Sequence, residues 1–167
     1  MNIIKTCLNI FIIIVFSTMG VNAQSIEQAL EKHLTFDVPQ LKVEKLANSL
    51  NQYTLLDARE FEEYNVSKIE NALFIGYNEF DINDFLKLEL PKNQKIVVYC
   101  SIGVRSEKIA RQILNATHYE VYNLYGGIFD WKNKSYPVVN RNNEETESVH
   151  AYSKKWSKFL INAKAVY

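Results

Sequence analysis

The segment Cys100-Ser101-Ile102-Gly103-Val104-Arg105-Ser106 places a thiol, a glycine, an arginine and hydroxyl groups within one short stretch. It follows residues 95–99 (KIVVY), an apolar run read as a buried strand. It precedes a helical pattern, starting near Ser106, whose buried stripe is Ile109, Ala110, Ile113 and Leu114. A loop curling back at a helix N-terminus aims backbone N–H groups at one point. The partial positive charge of the helix end adds to this, and both effects favour a thiolate over a thiol. Gly103 permits a tight curl, because it tolerates backbone conformations closed to other residues. Arg105 either brings a full positive charge to the mouth of the loop or braces it. A sulfur held in this way is a nucleophile, and the same cradle would stabilise a persulfide or an oxyanion bonded to it. The competing reading is a strand-end cysteine that acts as a small hydrophobe. The glycine, the arginine and the helix start together favour the nucleophile.

The elements that must position this loop are legible as alternating strands and helices. Residues 53–58 (YTLLDA) read as a buried strand ending at Asp57, residues 72–75 (ALFI) as another, and residues 121–124 as a third. Residues 60–64 allow one or two helical turns, and residues 81–88 a helix stopped near Pro91. The helix after the cysteine loop carries Glu107 and Arg111 as an i,i+4 pair. Gly126-Gly127 turn the chain into a short helix over 128–132. Upstream, Ser25 and Gln28 form a capping box before Ile26, Ala29, Leu30 and Leu34, and Val43, Leu46, Ala47 and Leu50 repeat at helical spacing. Buried strands alternating with helices imply an α/β fold with a parallel sheet covered on both faces. Sites in such sheets form at the carboxyl ends of strands, where both Asp57 and Cys100 fall.

The ends of the chain read differently. Lys5, the apolar stretch 8–16 and Val21-Asn22-Ala23 match a secretory signal peptide cleaved after Ala23. The apolar run is short for a membrane span. Cleavage would leave 167 − 23 = 144 residues, enough for one domain, and would remove Cys7, so that Cys100 remains as the single thiol. Such a protein is expected to be exported, to the periplasm or the extracellular space. With 19 basic and 19 acidic residues in the chain, there is no basic excess to neutralise phosphates, so nucleic acid is not expected as a partner. Residues 140–147 (NRNNEETE) read as a linker. Beyond it Val149, Tyr152, Trp156, Phe159, Leu160 and Ala163 recur at helical spacing opposite Lys154, Lys155 and Lys158. That pattern predicts an amphipathic C-terminal helix docked on its own domain rather than on a membrane.

Three segments carry a resemblance to the rhodanese family of sulfurtransferases. Leu55-Leu56-Asp57-Ala58-Arg59-Glu60, followed by Glu63-Tyr64, Ile69 and Ala72, is similar to the family's first signature. Val97-Val98-Tyr99-Cys100 and the Cys-x-x-Gly-x-Arg-Ser pattern of residues 100–106 resemble its active-site loop. Residues 124–131 (LYGGIFDW) resemble its closing motif. The resemblance covers roughly residues 41–139. It implies a parallel five-stranded sheet flanked by helices, here with an extra N-terminal helix and the C-terminal amphipathic helix. The corresponding division is 1–23 signal peptide, 24–40 helical extension, 41–139 rhodanese domain and 140–167 linker and helix.

The chemistry that the resemblance implies is transfer of sulfane sulfur through a persulfide on Cys100. The donor would be a small sulfur compound such as thiosulfate or a persulfide, and the acceptor cyanide, a thiol or a protein. Backbone amides of Ser101, Ile102, Gly103, Val104, Arg105 and Ser106 would hold the transferred sulfur, with no metal and no organic cofactor. Asp57 and Arg59 match positions that are mainly structural in the family, and Glu63 and Tyr64 are expected to pack near the base of the loop. Ser67-Lys68-Ile69 stands where Gly-His-Ile is frequent. Ser101, Ile102 and Val104 put no charge in the loop, whereas good thiosulfate users often place basic residues there. His33, His118 and His150 match no motif and are expected at the surface or as caps. Two other readings compete, a non-catalytic rhodanese-like binding module and a cysteine-based phosphatase or arsenate reductase. The latter enzymes have a loop one residue longer, whereas Arg105 follows Cys100 by 105 − 100 = 5 positions.

Overall fold

The computed structural model describes residues 25–91 and 93–167. The signal-peptide reading, with Cys7, lies outside the described residues. Helix α1 (Ile26–His33) opens on the expected capping box, Ser25 and Gln28 each accepting the other's backbone N–H. There follow strand β1 (Gln40–Leu41), helix α2 (Val43–Ala47), a single 3₁₀ turn, strand β2 (Tyr53–Asp57), helix α3 (Phe61–Val66), strand β3 (Leu73–Phe74) and helix α4 (Ile82–Leu86). Strand β4 (Lys95–Tyr99) then leads to helix α5 (Val104–Ala116), strand β5 (Glu120–Leu124) and helix α6 (Gly127–Asn133). The five strands form one parallel sheet in the order β1-β5-β4-β2-β3.

Strand β4 shows why its sequence is apolar without alternation. Successive side chains leave opposite faces of a strand. Val97 and Tyr99 enter one core layer, with Leu55, Leu124, Phe129 and Trp131, while Ile96 and Val98 enter the other, with Leu56, Ile109, Ala110 and Ile113. Both faces are covered, so a polar residue on either would be stranded from water. In register, Asp57 lies beside Tyr99, so β2 and β4 end level. Their carboxyl ends therefore deliver Asp57 and Cys100 to the same edge of the sheet.

The start of the helix after the loop needs correction. It begins at Val104 rather than near Ser106, because Gly103 takes φ 111° and serves as its N-cap, so the turn starts as soon as the chain leaves the glycine. The i,i+4 pair of Glu107 and Arg111 is present, but Glu107 is buried and has further partners. Its carboxylate accepts the backbone N–H groups of Thr35 and Phe36, at 2.9 Å each, and so staples the segment after α1 onto α5. Arg111 meets Glu107 at 3.9 Å and pairs more closely with Asp37, at 2.5 Å.

The predicted long C-terminal helix is also corrected. Strand β6 (Ser148–His150), a single helical turn α7 (Lys154–Ser157) and strand β7 (Lys164–Val166) replace it, and β6 and β7 pair in parallel. Two interactions divert the chain from a helix. Tyr152 has φ 61°, a left-handed conformation that no α-helix can include. Asn133 Oδ1 accepts the N–H groups of Ile161 and Asn162, at 2.8 and 3.2 Å, which pulls those amides out of any helical ladder. Val149, Phe159 and Leu160 nevertheless enter the main core layer. The segment thus docks on the domain, with each large apolar side chain contributing about 1.5–3 kcal/mol on full burial. The stretch read as a linker is tied down too, with Thr146 N–H donating to Val138 and Asn140 N–H to Glu144. Among the described residues no helix is long and apolar enough to cross a membrane.

Candidate active site

Cys100 leaves the end of β4 and only Ser101, Ile102 and Gly103 separate it from α5. The Gly103 N–H donates to Cys100 Sγ at 3.2 Å, and among the described hydrogen bonds this is the amide that reaches the sulfur. Gly103 in turn is held from β5. Asn123 Nδ2 donates to the Gly103 carbonyl at 3.0 Å, and Ser106 Oγ donates to Asn123 Oδ1 at 2.6 Å. Ser106 is therefore fully buried beneath the loop, where it fixes the start of α5 rather than facing a ligand.

A second anchor comes from α6. The N–H groups of Ile128 and Phe129 donate to the carbonyls of Cys100 and Ser101, at 2.9 and 3.0 Å. Gly127 permits this approach, since a methyl group there would overlap both carbonyl oxygens, and its φ of 56° is strained for any other residue. The glycine pair, read from sequence as a turn, is thus the clamp on the cysteine loop.

The charged groups form two buried pairs. Asp57 and Arg59 meet at 2.6 Å, both fully buried, and Arg59 Nη2 also donates to the Ser67 carbonyl. The Arg59 guanidinium lies 5.7 Å from the centre of the Tyr99 ring. These residues stitch the ends of β2, α3 and β4 together and do not line the pocket around Cys100. Glu63 of α3 takes both arms of Arg105, at 2.7 Å each, and also accepts the Ser101 hydroxyl at 2.9 Å. Its second oxygen accepts the Glu60 N–H. Burial would raise the Glu63 carboxyl, but hydrogen bonds from Arg105 and the charges of Arg105 and Arg59 hold it below the ordinary carboxylate range. For Arg105, burial opposes the charge, while Glu63 and the neighbouring sulfur hold the guanidinium firmly protonated. Of the two roles open to Arg105, the structure shows the brace.

The pocket above the sulfur holds about 200 Å³ and is lined by Cys100, Ser101, Ile102, Val104, Arg105, Tyr152 and Trp156. Cys100 is only 1% exposed and is one of the residues that line this pocket. The sequence reading brought Cys100, Ser101, Ile102, Val104 and Arg105 to this place. It missed Asn123, whose polar side chain beside the buried end of an apolar strand was a usable signal, and it assigned Tyr152 and Trp156 to a helix docked on the domain rather than to the pocket.

Comparison with known proteins gives the following. A family model described as rhodanese-like domain matches residues 42–134. The tRNA uridine(34) hydroxylase of Aster yellows witches'-broom phytoplasma (strain AYWB) is 38% identical over 80 residues, covering 46% of this chain and 26% of that protein. This chain thus spans about a quarter of the length of that relative and of others bearing the same name. Among solved structures, a rhodanese-related protein from Thermoplasma volcanium superposes with a TM-score of 0.54 at 29% identity, over 60% of this chain and 97% of that one. Thiosulfate sulfurtransferase from Pseudomonas aeruginosa superposes with a TM-score of 0.57 over 69% of this chain and 22% of that one. At 23% identity that likeness concerns the fold.

Proposed function

The chain belongs to the rhodanese-like domain family, and from that premise we propose that it is a sulfurtransferase working through a persulfide on Cys100. The observation that carries this reading is the position of Sγ, at the floor of a small pocket, at a strand end, with the Gly103 N–H donated to it. In the first half-reaction the Cys100 thiolate attacks the outer sulfur of a donor such as thiosulfate. A bond forms between Sγ and that sulfur, the donor's S–S bond breaks, and sulfite leaves with the electron pair. In the second, cyanide, a thiol or a protein acceptor attacks the outer sulfur, and the pair returns to Cys100 as thiolate. The Gly103 N–H and the start of α5 stabilise the anionic sulfur in both states. Neither half requires a metal or an organic cofactor. Export, as expected from residues 1–23, is part of the same proposal.

The alternatives fit less well. A binding module has no need of a thiol at the base of a pocket. A phosphatase needs an arginine clamping the oxyanion, and both arms of Arg105 are engaged by Glu63. Balanced charge across the chain argues against a nucleic-acid substrate.

The test is turnover by the full chain with thiosulfate or polysulfide plus cyanide, followed as thiocyanate, beside an aryl phosphate under the same conditions. Thiocyanate is expected to form and the phosphate ester to persist. Cys100-dependent phosphate release exceeding thiocyanate formation would overturn the assignment.

A further inference from the structure

Two side chains at the mouth of the Cys100 pocket, Tyr152 and Trp156, come from outside the stretch 42–134 that the family shares. Their placement is built in detail. Tyr152 sits in the left-handed region, which is costly for a residue with a Cβ and persists only where surroundings impose it. Its N–H donates to His150 Nδ1 at 3.1 Å, directly after Ala151 has bonded the Val166 carbonyl at 2.9 Å. So fixed, the Tyr152 ring covers the Arg105 guanidinium at 4.5 Å while remaining 51% exposed. Trp156 stands between His33 of α1 and Phe159, each 5.8 Å from it ring to ring. Both chain extensions therefore cooperate to hold an aromatic wall beside the aliphatic side chains of Ile102 and Val104.

The charge on the other side of the pocket is already matched. Arg105 is bound bidentately by Glu63 and capped by the tyrosine ring, so an entering dianion would lose its water without finding the Arg105 guanidinium unpaired. An aryl group would find ring faces and methyl groups. The volume of about 200 Å³ exceeds the roughly 150 Å³ cavity that accommodates a benzene ring.

We infer that Tyr152 and Trp156 are specificity-determining residues, and that the pocket selects sulfane-sulfur donors carrying an apolar or aromatic group and a single negative charge over small dianions. The inference rests on the sulfurtransferase reading. Benzenethiosulfonate and thiosulfate make the comparison, because both present a sulfane sulfur bonded to a sulfonyl-type sulfur. With benzenethiosulfonate the Cys100 thiolate bonds the sulfane sulfur, the S–S bond breaks, and benzenesulfinate leaves with the electron pair. Cyanide then removes the outer sulfur as thiocyanate and regenerates the thiolate.

The experiment measures kcat/KM of the full chain for thiosulfate, methanethiosulfonate and benzenethiosulfonate, with cyanide as acceptor. Wild type is expected to rank them in rising order. The ratio of benzenethiosulfonate to thiosulfate should fall about fivefold to tenfold in Tyr152→Ala and in Trp156→Ala, mainly through KM, and recover in Trp156→Phe. A ratio is insensitive to a general loss of folded enzyme, and the exposed Tyr152 can be truncated without opening the core. Donors that turn over with a ratio near one, or with a ratio the variants leave unchanged, would overturn the inference while leaving the reaction intact. If no donor in the panel turns over in wild type, the sulfurtransferase reading fails first.

Discussion

Cys100→Ser is expected to lower sulfur transfer from every donor by about 10³-fold or more, because the hydroxyl is neither an adequate nucleophile at neutral pH nor able to carry a persulfide. The fold should survive. The serine hydroxyl is smaller than the thiol, and it inherits the N–H of Gly103 that now points at Sγ. The loop is also held independently of its side chain, by the α6 amides on the Cys100 and Ser101 carbonyls. Circular dichroism and the melting temperature should therefore match wild type while thiocyanate formation disappears. A Cys100→Ser protein with activity near wild type would remove the thiol from the mechanism.

Glu63→Gln is expected to give the largest loss of stability. Glu63 is 1% exposed and holds Arg105, the Ser101 hydroxyl and the Glu60 N–H at once. The amide leaves a mostly buried guanidinium with only the more distant Glu60 carboxylate, at 3.9 Å, as counter-charge, which costs about 3 kcal/mol for a pair of this kind and lowers Tm by about 6–12 °C in a domain of this size. Activity should fall as well, because Ser101 and Arg105 flank the sulfur. The pH dependence has a definite sign. A carboxyl held below its ordinary value of 4.5 stabilises the fold fully above that value and loses the contribution as pH falls through the lowered one. Thermal melts between about pH 3 and pH 7 should show wild type losing stability on acidification more steeply than Glu63→Gln. Parallel acid limbs would mean that the Glu63–Arg105 pair contributes nothing to the fold.

Much of this arrangement was readable in the residues themselves. The run KIVVY marks β4 because both faces of a central parallel strand must be apolar, and Ser25 with Gln28 marks the start of α1 because a capping box satisfies exposed donors locally. What failed were readings that depended on distant partners. The spacing of Glu107 and Arg111 gives their pairing, but it does not reveal that the amides of Thr35 and Phe36 claim the glutamate from 72 and 71 positions away. The tail's apolar spacing suits a helix, yet Asn133 and the pairing of β6 with β7 decide its path, and periodicity over so short a stretch cannot register either. The same limitation hid Tyr152 and Trp156. Their types were visible, but the place they occupy is set by tertiary contacts alone.

The most direct measurement is the intact mass of the full chain, recorded after brief exposure to thiosulfate or benzenethiosulfonate without acceptor and again after cyanide is added. The account predicts the gain of one sulfur atom, located on Cys100 by peptide mapping, absent from Cys100→Ser and removed by cyanide as thiocyanate. A protein whose mass does not change with any donor, or which gains sulfur equally in Cys100→Ser, would contradict it.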